Sequence, residues 1–165
     1  MGMSHVDATG RAQMVDVGAK PITARSASAR GSVTMSSEAF GQVAANGVAK
    51  GDVLSVARVA GIMAAKRTAE LIPLCHQLGL DGIDLDLELD RALPGVQVTA
   101  TARVEARTGV EMEAMVAVSV ACLTVYDMVK AIDRAMTIGP IYLVAKSGGR
   151  SGEYRRDRSA EGGTG

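Results

Sequence analysis

Four groups of residues in this chain have types and spacings that could do chemistry. Cys75 stands beside His76 in the stretch LIPLCHQL at 71–78. A thiol and an imidazole suggest a nucleophile or a metal, but neighbours on a loop seldom face each other. The chain has no CxxC or HxxxH spacing, and His5 is its only other histidine. The spacing therefore favours a buried cysteine and a structural histidine over a metal site, and leaves catalysis or substrate binding by His76 alone open. Glu111, Met112 and Glu113 open a long apolar run, where a helix dipole favours carboxylates. Asp127 and Lys130 follow on the same run, three apart; on a solvated face they would be an ion pair worth roughly 0.2–0.5 kcal/mol. Inside an apolar stretch such a pair needs a partner or a cleft, and in a cleft it is a competent proton-transfer couple. Last comes AKSGGR at 145–150, whose glycines let backbone N–H groups approach an anion while Lys146 and Arg150 add charge. Lys50, Gly51 and Asp52, ahead of another apolar run, give a comparable weak anion signal.

The elements that must position these groups are legible from periodicity. Residues 22–35 read as a strand, with Thr23, Val33 and Thr34 β-branched. Ser36, Ser37 and Glu38 cap a helix that Asn46 and Gly47 stop. Gly51 and Asp52 open a second helix, expected to run over 53–71 until Pro73. Its polar residues Arg58, Lys66 and Glu70 form one narrow stripe, so the helix should be covered around most of its circumference. From Ile83 the period becomes two: Ile83, Leu85, Leu87 and Leu89 alternate with Asp84, Asp86, Glu88 and Asp90. A turn at Pro94 and Gly95 returns the chain through Val96, Val98, Ala100, Ala102 and Val104. Residues 109–136 are expected as one long helix with the stripe Met115, Val118, Cys122, Val125, Val129, Ile132 and Met136. Gly139 and Pro140 end it, 141–144 is a last strand, and the glycine-rich segment follows directly. This order predicts an α+β, ferredoxin-like fold: an antiparallel sheet with helices packed on one face. A single catalytic domain is expected over 21–152, between a flexible segment at 1–20 and a flexible tail at 153–165.

Length and composition agree with one domain and restrict its partners. The chain has 165 residues and zero formal net charge, with mixed signs along its length. That is no electrostatic footprint for nucleic acid. Two cysteines are too few for a disulfide framework and match a reducing compartment. The start carries no apolar signal core, the myristoylation pattern fails at Val6, and charge interrupts the apolar stretches, so a cytoplasmic, membrane-free protein is expected. There is no Trp and one Phe, so the core is built from small side chains that bury little area each. Apolar surface shared between subunits would make up the difference. Helix arithmetic points the same way: Glu111 and Asp127 are sixteen positions apart, roughly 24 Å along one straight helix. If both serve one small-molecule site, that site combines two copies.

Together these stretches resemble the cyclic pyranopterin monophosphate synthase family, also called molybdenum cofactor biosynthesis protein C. The matching segments are MVDV at 14–17, KGDV at 50–53, ARVAGIMAAKRT at 57–68 and LIPLCH at 71–76, then TGVEMEA at 108–114, LTVYDMVKA at 123–131, IGPIYL at 138–143 and AKSGG at 145–149. Eight segments in register cover nearly the whole domain. The resemblance implies a lyase that turns 3′,8-cyclo-7,8-dihydroguanosine 5′-triphosphate into cyclic pyranopterin monophosphate and diphosphate. It implies Asp127 as catalytic acid/base and Lys130 as its proton-transfer partner. It places Lys50, His76 and Lys146 on the triphosphate, Arg25 near the same pocket, and Leu74, Cys75, His76, Met112 and Glu113 on the substrate, with Glu111 accessory. No dedicated cofactor or metal is implied, although Mg²⁺ can accompany a triphosphate. The family forms homohexamers, trimers of dimers with sites between subunits. Gln77 departs from the pattern, which has Pro after the Cys-His pair. The rival readings are a noncatalytic oligomeric nucleotide-binding protein of the same fold and a hydrolase using Cys75 and His76.

Overall fold

A computed structural model describes residues 10–157; His5 and residues 158–165 lie outside it. The elements in chain order are β1 (Thr23–Thr34), α1 (Ser37–Ala44), α2 (Val53–Ala65), α3 (Thr68–Leu71), β2 (Gly82–Asp90), β3 (Gly95–Ala106), α4 (Glu111–Val129), β4 (Thr137–Ile138), β5 (Tyr142–Ser147) and β6 (Tyr154–Arg155). The strands form one antiparallel sheet in the order β2-β3-β1-β5-β6, with β4 also on β1. Because β3 is inserted between β1 and β2, the first half is a split βαβ unit, and the four long strands have the expected α+β, ferredoxin-like arrangement.

Period-two patterning decides which face is covered. Val96, Val98, Ala100, Ala102 and Val104 are all buried, as are Ala27, Ala29 and Val33 of the neighbouring strand. Their alternates carry Ser, Thr and Arg, and across this polar face Ser28 Oγ lies 2.8 Å from Thr101 Oγ1. Helix α4 lies on the apolar face with Val118, Cys122, Val125 and Val129 fully buried. Its length and apolarity would suffice to cross a membrane, but its buried residues pack in the core against the sheet and α2. Helix α2 crosses α4 closely at Gly61, where a Cβ would lie 2.7 Å from the Ala117 carbonyl oxygen and collide with Leu85. Only a residue without a side chain fits there. Arg58 ties α2 to the sheet by donating Nε–H to the Leu85 carbonyl at 3.0 Å.

The caps are those expected. Ser36 accepts from Ala39 N–H at 3.2 Å, Asp52 accepts from Ser55 N–H at 3.0 Å, and Asn46 takes the left-handed φ of 53° that stops α1. Three boundaries differ from expectation. The second helix does not continue to Leu71: it ends at Ala65, Arg67 leaves helical geometry, and Thr68 Oγ1 donates to the Ala65 carbonyl at 3.0 Å. A hydroxyl satisfying a helix-end carbonyl competes with the next backbone turn. Nor is α2 covered around most of its circumference, since Val56, Val59 and Met63 are 45%, 57% and 56% exposed. Helix α4 stops at Val129 rather than Met136, because Asp133 draws the chain aside by accepting from Ser36 N–H and Ala135 N–H, both at 2.8 Å. Met136 is still buried, but from a loop, and Ile132 is exposed. The strand expected over 141–144 is β5 and runs to Ser147, so Lys146 lies within it. Outside 21–152, the Val15 carbonyl accepts from His76 and β6 pairs with β5.

Candidate active site

The expected site residues gather at opposite ends of α4. At its N-terminal end a cleft opens in two compartments. The smaller, about 400 Å³, is walled by Val15, Val17, Leu74, Leu78 and Met112, with Cys75, His76 and Glu113 among its polar groups. The larger, about 710 Å³, is walled by Arg25, Arg107, Lys146, Gly149 and Arg150. Lys20, Thr108, Gly109 and Glu111 line both, so the two are adjoining parts of one cleft.

Each wall has a local cause. After α3 ends, the backbone from Ile72 runs as a loop that presents Leu74, Cys75 and His76. His76 Nε2 lies 2.9 Å from the Val15 carbonyl oxygen, and since a carbonyl only accepts, Nε2 carries the proton and donates. That bond seats residues 14–18 as a strap over the smaller compartment. Glu113 sits in the first turn of α4 and is 4% exposed. Burial pushes its carboxyl up from the ordinary 4.5 and repulsion from Glu111 adds to this, while its own backbone N–H pulls the other way. Glu111 is paired with Lys146 at 3.2 Å, and Lys146 also donates to Ser151 Oγ at 2.8 Å. Arg25 is held by the backbone: Nε–H donates to the Ala106 carbonyl at 3.0 Å and Nη2–H to the Arg107 carbonyl at 3.3 Å.

The raised Glu113 carboxyl has a measurable consequence for stability. Its folded value lies above 4.5, so protonation favours the fold: the stability it contributes is fully present below 4.5 and is lost as pH rises through the folded value. Glu113→Gln removes the ionisation. Thermal melts should show the variant gaining on the wild type between pH 4 and pH 8; parallel curves would contradict a buried carboxylate here.

Two sequence signals turn out to serve packing. Asp52 occupies the N-terminus of α2 itself, so that helix end is not open to an anion, and Lys50 reaches α4 instead. Gly148 and Gly149 have φ of +91° and +73°, and a Cβ on them would strike the Ala24 carbonyl oxygen and the Arg25 guanidinium respectively. The glycine pair clamps Arg25 and does not form an open phosphate loop.

At the other end of α4, Asp127 receives two lysines: Lys130 Nζ lies 2.6 Å from Oδ1, and Lys50 Nζ lies 2.7 Å from Oδ2 and 2.9 Å from the Asp127 carbonyl oxygen. Lys130 first and Lys50 second hold this carboxyl down at about 2. All three side chains are about half exposed, so the expected enclosure is not supplied by the chain that carries them. Within one chain the structure thus joins Leu74, Cys75, His76, Met112, Glu113, Glu111, Arg25 and Lys146. It separates them from Asp127, Lys130 and Lys50 by the length of α4, roughly 24 Å.

The sequence reading missed Val15 and Val17 as pocket walls and Lys20, Arg107 and Thr108 as cleft residues. The alternation of Val15 and Val17 was the available signal, too short to read as a strand. The nucleophilic-cysteine reading fares poorly: burial, and then the Glu113 charge, push the Cys75 thiol up from its ordinary 9.0, away from the thiolate. Cys75→Ser should keep turnover within about threefold of wild type, whereas a thiol mechanism would lose nearly all of it.

The profile of the MoaC family matches residues 14–149. The chain belongs to the MoaC family. Among curated relatives, cyclic pyranopterin monophosphate synthase of Roseiflexus sp. (strain RS-1) is 59% identical over 94% of this chain and 98% of its own. The proteins of that name from Parvibaculum lavamentivorans and Chloroflexus aggregans are each 56% identical, covering 93% and 96% of this chain and 96% of their own lengths. The MoaC match spans both ends of α4 and contains the Asp127 cluster and all of the cleft lining except Arg150 and Ser151.

Proposed function

We propose that the chain is a lyase of molybdenum cofactor biosynthesis, converting 3′,8-cyclo-7,8-dihydroguanosine 5′-triphosphate into cyclic pyranopterin monophosphate and diphosphate. The observation that carries this reading is the division of labour along α4 in a MoaC-family chain. A cleft with a heterocycle-sized compartment and a cationic one lies at its head, and a carboxylate braced by two lysines lies at its foot.

Opening the purine's imidazole ring and rebuilding it as a pterin requires protons to leave one atom and arrive at another. Asp127, ionised at neutral pH, takes a proton, and Lys130 at 2.6 Å gives one up and restores it. Glu113 meets the N–H edge of the guanine-derived ring between Leu74, Cys75 and Met112. Closing the cyclic phosphate makes one P–O bond at the α-phosphorus and breaks the bond to the β-phosphate oxygen, so diphosphate departs with its charge. Lys50, His76, Lys146 and Arg25 neutralise that charge. No resident cofactor is needed in this scheme, and Mg²⁺ would enter bound to the triphosphate.

Because the two ends of α4 cannot reach one substrate, the working unit is an oligomer in which the cleft of one copy meets the Asp127 cluster of another. A homohexamer arranged as a trimer of dimers fits this need. Its support is a bare apolar ridge: Val56, Val59 and Met63 along one face of α2, with Leu123 of α4 57% exposed. The cytoplasm suits two free cysteines, and zero net charge argues against nucleic acid as a partner. The deciding assay supplies the cyclic dihydro-GTP intermediate and looks for pterin product and diphosphate. Tight binding without either product would instead favour the noncatalytic nucleotide-binding reading.

A further inference from the structure

Residues 14–20 precede the first strand and belong to no helix or strand, yet they supply a wall of the smaller compartment. Val15 and Val17 are half-buried and line it, while Met14, Asp16 and Gly18 are exposed. That alternation is what an extended segment shows when every second side chain turns inward. The other apolar walls, Leu74, Leu78 and Met112, come from the loop after α3 and from α4, so the two valines complete an enclosure begun by the body of the domain. The strap is lightly held. Among the described residues two hydrogen bonds tie 14–20 to the body: His76 donates to the Val15 carbonyl at 2.9 Å and Arg107 to the Lys20 carbonyl at 3.0 Å. The others are internal, Gly18 N–H to Asp16 Oδ1 at 2.8 Å and Lys20 N–H to the Val17 carbonyl at 3.0 Å. A segment with exposed backbone and few ties opens locally at little cost.

We infer that residues 14–18 are a lid over the smaller compartment, latched by His76, and that Val15 and Val17 are specificity-determining contacts to the ring it encloses. That this ring is guanine-derived rests on the reading of function above; the latch does not. The Arg107 bond holds the end of the strap next to β1, and the His76 bond is its fastening over the compartment. His76 lines this compartment and not the cationic one, so in this chain the histidine stands where ring and strap meet. A ring that enters gives Val15 and Val17 the apolar partner they have only in part, so binding draws the lid shut and sequesters the ring from water. The MoaC match begins at Met14, ahead of β1, which makes the strap part of the family domain rather than an appended tail.

The test follows amide hydrogen exchange of residues 14–20 in the full-length oligomer. In the Asp127→Asn protein, saturating cyclic dihydro-GTP substrate should slow exchange there about tenfold, whereas inorganic triphosphate, which lacks the ring, should leave it within about twofold. With no ligand added, His76→Ala should speed the same amides about fivefold, and His76→Gln, which keeps an N–H donor, should recover part of the difference. Val15→Ser combined with Val17→Ser should raise KM about twentyfold and leave the affinity for inorganic diphosphate at the wild-type value. A merely structural role would instead lower the melting temperature and leave KM alone. Exchange indifferent to bound substrate, or a wild-type KM in the double variant, overturns the lid. If the wild-type protein makes no pterin but bound substrate still slows the strap, the lid stands and the assigned reaction falls; if it makes pterin and the strap does not respond, the lid falls alone.

Discussion

Asp127→Asn is expected to lower product formation by about 10²–10⁴-fold while leaving the melting temperature within about 2 °C of wild type. The large loss follows from chemistry and the small one from exposure. Asn keeps the shape of the side chain and an oxygen for one lysine, but it has no charge and cannot accept a proton. The side chain is 57% exposed, so its ion pairs with Lys130 and Lys50 are screened by water and contribute little to folding. The sign of the pH effect is also set. The folded carboxyl is held at about 2, below the ordinary 3.8, so whatever stability it gives is present above 3.8 and lost as pH falls through about 2. Activity near neutral pH therefore always begins from the carboxylate. Lys130→Ala should behave alike, in turnover and in melting. Either variant retaining wild-type turnover would remove the assigned proton-transfer roles.

Mixing two inactive variants should restore activity. Asp127→Asn spoils the foot of α4, whereas Glu113→Gln spoils the cleft at its head. If each working site takes its cleft from one copy and Asp127 from another, a mixed dimer has one site with both lesions and one with neither. Random mixing makes half the dimers mixed, so about a quarter of wild-type activity should return after co-expression or after joint unfolding and refolding. The physical basis is the straight run of α4 from Glu111 to Val129, whose length holds Glu111 and Asp127 roughly 24 Å apart. A site contained in one chain would give no recovery at any ratio. Recovery that disappears when the α2 ridge is made polar, for instance with Val59→Glu and Met63→Glu, would tie the effect to that surface.

Much of the scaffold was open to reading because it rests on local periodicity. The alternation from Ile83 to Asp90 and from Val96 to Val104 decides strand and face together, since a shift of one residue would turn every apolar side chain outward. Ser36 and Asp52 mark helix starts because their side chains can satisfy the N–H groups a helix leaves open. The pairing of Asp127 with Lys130 could likewise be read, because three residues on a helix is a contact distance. The helix-length argument was legible too, and it alone separated the two halves of the site.

What tertiary structure decided are the contacts between residues far apart in the chain. Periodicity continued α4 to Met136, but Asp133 meets Ser36 N–H nearly a hundred positions away, and that bond turns the chain off its helical path. Likewise nothing local announces that Lys50 completes the Asp127 cluster, that His76 seats the strap at Val15, or that Arg107 anchors Lys20 beside Arg25. A periodic pattern records which side of an element meets the core. The cleft is made by loops and strand ends, whose hydrogen bonds are satisfied by whatever the packed elements bring near, and that follows only from the assembled sheet and helices.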